Sequence, residues 1–187
     1  MNSNDKELWI ANLMAASDKR APKEIYDAYA GYLTGVCARY LSDSDDLKDV
    51  VQESFINIFS ALRSFNYSGA GSLKAWITRI AVNRALKYLR DNNRFVFVAI
   101  SDRDAEMPDD EPDIESLTCQ EITALIRELP PGYRVVFNLH VMEGKSHKEI
   151  ADILNIKENS SASQFHRAKA MLALKVSELI KLKQQQL

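Results

Sequence analysis

The sequence predicts an all-α protein, two small helical domains joined by an acidic linker. Three observations carry that prediction. Only 6 of the 187 residues are glycine and 5 are proline, and no proline interrupts Lys23 to Met107, which favours long helices over a turn-dense β fold. Apolar residues recur at three- and four-residue steps in both halves of the chain. Between the halves, Asp102, Asp104, Glu106, Asp109, Asp110, Glu111, Asp113 and Glu115 stand with Pro108 and Pro112 and too few apolar side chains to order a segment by burial. The boundaries read as a domain over residues 1–94, a linker over 95–117 and a domain over 118–187.

The elements follow in order. Pro22 suits the first turn of a helix whose apolar stripe is Ile25, Tyr29, Tyr32, Val36 and Tyr40. Ser42 to Asp46 then supplies cap oxygens and early acidic charge for a second helix. Leu47, Val50, Val51, Phe55, Ile58 and Leu62 form its apolar stripe, with Asp46, Asp49, Gln52, Glu53 and Asn57 on other faces. After a loop from Phe65 to Gly71, Ser72 is placed to cap a third helix, whose stripe is Leu73, Trp76, Ile77 and Ile80. On that helix Arg79, Asn83, Lys87 and Arg90 line one polar face.

The second half starts with Ile122, Leu125, Ile126 and Leu129, breaks at Pro130-Pro131 and runs on to Gly144. Ser146 and Glu149 make a capping box for a short helix ending at Asn155, and a longer helix starts at about Ser160, so the pair reads as a helix-turn-helix with small Ala151 at the crossing. At 100° per residue, Ser161, Phe165, Ala168 and Leu172 face inward, and Ser163, His166, Arg167 and Ala170 face out. Beyond about Ala173 the chain reads as a short basic helical tail ending in Gln184-Gln185-Gln186.

Charge narrows the function classes. The formal net charge is only −2, yet Lys74, Arg79, Arg84, Lys87, Arg90 and Arg94 face Asp91 alone between Gly71 and Arg94. After Ala162, Arg167, Lys169, Lys175, Lys181 and Lys183 face only Glu178. Two basic helical blocks thus flank an acidic linker, a distribution suited to nucleic acid. His140, His147 and His166 lack metal-ligand company, and no phosphate-cradling glycine loop or nucleophile elbow occurs, so no enzyme, cofactor or metal is expected. Cys37 and Cys119 have no ligand spacing and fit a reducing compartment. The longest apolar run, Phe95 to Ile100, is far below the ~20 residues of a bilayer crossing, so the expectation is a cytoplasmic protein without membrane insertion.

With these residues in place, the chain resembles a bacterial RNA polymerase sigma factor of the extracytoplasmic-function (ECF) subfamily. Asp46-Leu47 with Val50-Val51-Gln52-Glu53-Ser54-Phe55 is similar to the family's core-polymerase-binding helix. Phe65 through Asn83 is similar to its promoter-melting loop and minus-ten helix, and Leu129 through Phe137 with Ser146 through Leu172 to its region four. The resemblance implies core RNA polymerase and promoter DNA as partners, admits an anti-sigma factor, and points to a stress or extracytoplasmic-signal regulon. It implies core binding by Asp46, Asp49, Gln52 and Glu53, and base capture by Asn66 and Tyr67 beside duplex contacts from Arg79, Asn83, Lys87 and Arg90. For the minus thirty-five element, Ser163, His166 and Arg167 are the base-edge candidates, with Ser160 and Lys169 on phosphate. Relatives commonly carry Gly-Thr-Val-Lys or Gly-Thr-Val-Arg where this chain has Asn159-Ser160-Ser161-Ala162, so Asn159 is expected to take the left-handed turn and Ala162 lacks a basic contact. The rival reading is a stand-alone helix-turn-helix transcription regulator whose first half senses or dimerises.

Overall fold

The computed structural model describes residues 2–92 and 116–185, and every regular element among them is helical. The linker read from the sequence falls almost wholly outside the described residues. Two compact units result, Met1–Asn92 and Asn93–Leu187.

The first unit holds α1 (Ser3–Ala15), α2 (Ala21–Ala38), α3 (Ser44–Ser60), a 3₁₀ turn at Leu62–Ser64, and α4 (Ser72–Asp91). Pro22 sits in the first turn of α2 as expected, and Asp43 caps α3 by accepting the Asp45 and Asp46 N–H groups. α4 packs on both α2 and α3 and is the central helix of the bundle. It buries Leu73, Ile77, Ala81, Val82, Ala85, Leu86 and Leu89. α1 was not legible as a helix, yet it closes the bundle by burying Ile10, Ala11, Leu13 and Met14. The stripe of α2 is also rotated from expectation, because Leu33 and Cys37 are buried while Tyr32 stays on the surface. A spacing of three or four cannot separate Tyr32 from Leu33, and polar partners decide: the Tyr32 hydroxyl lies 2.9 Å from Thr78 Oγ1, and Lys74 Nζ sits 4.4 Å from its ring centroid. Tyr40 lies beyond the end of α2 and is fully buried.

The second unit holds α5 (Cys119–Arg127), α6 (Pro131–Phe137) continued by a π-helical turn (Asn138–Met142), α7 (His147–Leu154) and α8 (Glu158–Gln184). α8, at 27 residues about 40 Å long, is the spine. Its first half packs with Leu129, Tyr133 and Phe137, while Val176, Leu179 and Ile180 in its second half pack with Leu117, Ile122 and Leu125. The expected basic tail is therefore the structural back half of α8. Lys175 pairs with Glu128, and Lys183 pairs with Glu121 at 2.7 Å, which takes both lysines out of any nucleic-acid face.

Both tryptophans, Trp9 and Trp76, lie in the first unit, so indole fluorescence reports its unfolding. Ile77→Ala removes a fully buried side chain of α4 and is expected to cost about 2–5 kcal/mol. Ile56→Ala, on the exposed side of α3, is expected to stay within about 0.5 kcal/mol, both read from urea titrations.

Candidate protein and nucleic-acid interfaces

The acidic face of α3 divides in two. Asp46 and Glu53 are half-buried and face α4, where Asp46 Oδ1 accepts the Tyr88 hydroxyl and Glu53 pairs with Arg84. Asp49 and Gln52 are exposed. With them stands Ile56, whose 61% exposure is the highest among the large hydrophobic side chains described. At 100° per residue, Asp45, Asp49, Gln52 and Ile56 fall within about 60° of one another, one narrow face toward solvent. Sequence reading missed Ile56. Its signal was an isoleucine in register with the polar stripe instead of the apolar one.

The loop between the 3₁₀ turn and α4 forms the second site. Phe65 packs on Trp76 with ring centroids 5.1 Å apart. Together with Ser64, Asn66, Ser68, Ser72, Ala75 and Arg79 they line an open cleft of about 520 Å³. Tyr67 is on the loop surface, 37% exposed, outside that lining. Gly69 and Gly71 take φ values of 126° and 86°, where a side chain would strain the backbone.

Ser72, the expected cap, does not cap α4. Its hydroxyl accepts the Ser68 N–H at 3.3 Å, and the helix begins at Gly71 without a side-chain cap of its own. Glu7 of α1 does the capping, its Oε2 accepting the Gly71 N–H at 2.9 Å and its Oε1 the Leu73 N–H at 2.7 Å. Burial pushes the nearby Tyr29 phenol up to about 12, with the Glu7 charge adding to it. Downstream, Arg79, Asn83, Lys87 and Arg90 are all exposed on one stripe of α4, as expected. Arg84 points elsewhere, to Glu53.

The third site is the α7–α8 pair. The Ser146–Glu149 capping box is present in both directions. Lys145 and the Ser146 N–H and hydroxyl hold the Glu149 carboxyl at about 2, well below its usual 4.5. The left-handed residue of the turn is Asn155 (φ 53°), and Asn159 lies inside the first turn of α8. The short helix ends at Asn155 as expected, but Asn155 and not Asn159 takes the left-handed backbone, and α8 starts at Glu158, two residues before the expected Ser160. Ser163, His166 and Lys169 are exposed, while Ser160 and Arg167 are half-buried. Ala170 was expected on the outer face and is only 1% exposed, packed inside with Gln164.

Behind this helix His140, His147 and Phe165 form a ring cluster. The two imidazoles stack with centroids 4.6 Å apart and planes 6° apart, and Phe165 lies 4.5 Å from His140. His140 Nδ1 is 2.8 Å from the Lys145 carbonyl, and His147 Nδ1 is 3.0 Å from the Ser161 hydroxyl. Among the described residues no group of His, Cys, Asp and Glu could hold a metal.

Two stretches of the chain match known protein families. Residues 25–95 match the sigma-70 region 2 family, and residues 119–172 match sigma-70 region 4. Among curated relatives, the ECF RNA polymerase sigma-E factor of Haemophilus influenzae is 30% identical over 176 residues, covering 87% of this chain and 91% of that protein. The Escherichia coli K12 sigma-E factor is 31% identical over 178 residues (88% and 91%), and the Pseudomonas aeruginosa RNA polymerase sigma-H factor 26% over 193 residues (97% and 99%). Among solved structures, that of CnrH in complex with the cytosolic domain of CnrY shares the fold, with a TM-score of 0.51, 20% identity and coverage of 93% of this chain and 99% of that one.

Burial, then the neighbouring His140, lower the His147 pKa below 6.5. As pH falls below about 6.5 the unfolded chain takes up this proton first, so the α7–α8 unit is expected to lose stability there and keep it above. Thermal unfolding followed by far-UV circular dichroism between pH 7.5 and 5 checks this, and His147→Gln should flatten that part of the profile.

Proposed function

The chain belongs to the extracytoplasmic-function (ECF) sigma factors, and from that premise we propose which of its surfaces carry each step. As a sigma factor it binds core RNA polymerase and directs promoter-specific transcription initiation. The observation that carries the assignment is the separation of two exposed faces within the first unit. Asp49, Gln52 and Ile56 project from α3, Arg79, Asn83, Lys87 and Arg90 from α4, and the polar side chains between them are engaged in the Tyr88–Asp46 hydrogen bond and the Arg84–Glu53 ion pair.

The α3 face docks on core polymerase. An isoleucine ringed by acidic and amide side chains suits a basic, partly apolar protein surface, with the apolar anchor giving affinity and the charges register and on-rate. Asp46 and Glu53 serve this face from behind by fixing α3 against α4.

The cleft and the α4 stripe take the minus-ten element. Asn66 lines the cleft and Tyr67 flanks it, positions from which an unpaired base is met by a hydrogen-bonding amide and a stacking ring. The α4 stripe holds the adjacent backbone by phosphate contact. In the second unit Ser163, His166 and Arg167 read base edges of the minus thirty-five element while Ser160 and Lys169 hold phosphate. The assignment by region is residues 1–94 for core and minus-ten binding, 95–117 for the linker and 118–187 for the upstream element. The work is binding and positioning without catalysis, in the cytoplasm. A buried Cys37 whose thiol burial pushes up to about 12 fits a reducing compartment, and no helix among the described residues is long and apolar enough to cross a membrane.

Co-elution with sigma-free core polymerase tests the docking face. The wild type should co-elute, and Gln52→Ala/Ile56→Ala should weaken core binding by about tenfold or more with no change in urea midpoint. A chain that leaves core unbound yet shifts duplex DNA with sequence preference would instead be a stand-alone helix-turn-helix regulator. On DNA, Arg167→Ala should relax preference at one or two upstream positions, whereas Lys169→Ala should weaken all sequences alike and lower the salt slope by about one, both read by binding selection over a randomised upstream element.

A further inference from the structure

Residues 1–24 precede both matched regions, and α1 lies wholly among them. Its outer surface shows Leu8 and Trp9 among polar side chains, and one of its acids faces inward. Glu7 is only 5% exposed, and each of its carboxylate oxygens accepts one N–H from the start of α4, Gly71 and Leu73. No side chain within α4 or its loop competes for these donors, because Gly71 has none and the Ser72 hydroxyl turns back to Ser68. The capped point is also where the loop carrying Asn66 and Tyr67 joins the helix, through two glycines at positive φ. Glycine gives that junction freedom, and a buried, charged, two-pronged acceptor removes it.

From this geometry we infer that Glu7 is a positioning residue for promoter melting: it locks the loop–α4 junction so that the base-capture side chains stand ready before DNA arrives. Ile10, Leu13 and Met14 anchor α1 in the core and hold the carboxylate in place. The inference rests on the minus-ten reading of the loop given above. A glutamine at position 7 keeps the shape of the side chain but offers one acceptor and one amide donor to two N–H groups, so one junction N–H loses its partner.

The test uses reconstituted holoenzyme on a promoter recovered from genomic fragments by the wild-type holoenzyme. Permanganate reactivity of unpaired thymines and abortive transcript yield are measured on the duplex and on the same promoter with a pre-opened minus-ten bubble. Glu7→Gln should still co-elute with core, lose open complex on duplex by about tenfold, equivalent to about 1.4 kcal/mol, and recover on the bubble. Leu89→Ala, which opens the core at the far end of α4 and leaves α1 and its carboxylate in place, should lower the urea midpoint without a split between duplex and bubble. Loss of core co-elution by Glu7→Gln, equal loss on both templates, or the same split in Leu89→Ala would overturn the positioning role. Tyr67→Ala and Asn66→Ala separate this from the underlying reading. If they melt duplex normally, the base-capture loop falls and the inference with it. If they fail on duplex while Glu7→Gln does not, only the inference falls.

Discussion

The first unit depends on a single helix having two incompatible faces. α4 must bury Leu73, Ile77, Ala81, Ala85 and Leu89 against α2 and α3, and on its other side keep Arg79, Asn83, Lys87 and Arg90 in water. Between the two faces lie positions where a polar side chain can be neither fully buried nor free. Each is answered by a neighbouring helix: Thr78 by Tyr32, Arg84 by Glu53, Tyr88 by Asp46 and the helix N-terminus by Glu7. These boundary contacts fix the rotation of α4 about its axis, and that rotation decides which residues form the basic stripe. A pair at such a boundary is worth little as an isolated surface ion pair, but here partial burial and convergence on one helix give the set its orienting value.

Charge counted along the sequence therefore overstates the functional surface. Arg84, Lys175 and Lys183 all belong to the basic blocks, and all three close on acids of their own unit. Asp46 and Glu53, read as part of an acidic docking face, each also hold a partner on α4, Tyr88 and Arg84, while the Glu53 side chain stays 47% exposed. What remains exposed after these pairings is smaller and more selective: a short acidic face with an isoleucine in it, and a narrow basic stripe.

Local features were legible and remote ones were not. The Ser146–Glu149 box, Pro22 at a helix start and the basic stripe of α4 follow from spacings of three to four residues, and the structure has each of them. The left-handed residue between α7 and α8 was assigned to Asn159 instead of Asn155 because both asparagines suit that backbone and only packing chooses between them. Tyr32 and Leu33 pose the same ambiguity on α2. The cap of α4 was assigned to Ser72 by proximity, whereas its partner is 66 residues away from Leu73 in sequence on a helix that carries no strong amphipathic signal. No local rule finds a carboxylate delivered by the fold.

On the proposed base-capture reading of the loop before α4, such a contact matters to melting. Stacking an unpaired base on an aromatic ring yields about 1–3 kcal/mol, and extruding the base costs a few kcal/mol, so the two nearly cancel. With so small a margin, conformational entropy decides the sign: ordering one loop residue costs about 1–2 kcal/mol if it happens on DNA binding. A loop already fixed by Phe65 on Trp76 and by the carboxylate on its last glycine has met that cost during folding, where a whole bundle core offsets it. On the proposed reading, strand opening without an external energy source would draw on rigidity built into α1, α4 and the cleft between Phe65 and Arg79 before the promoter is met.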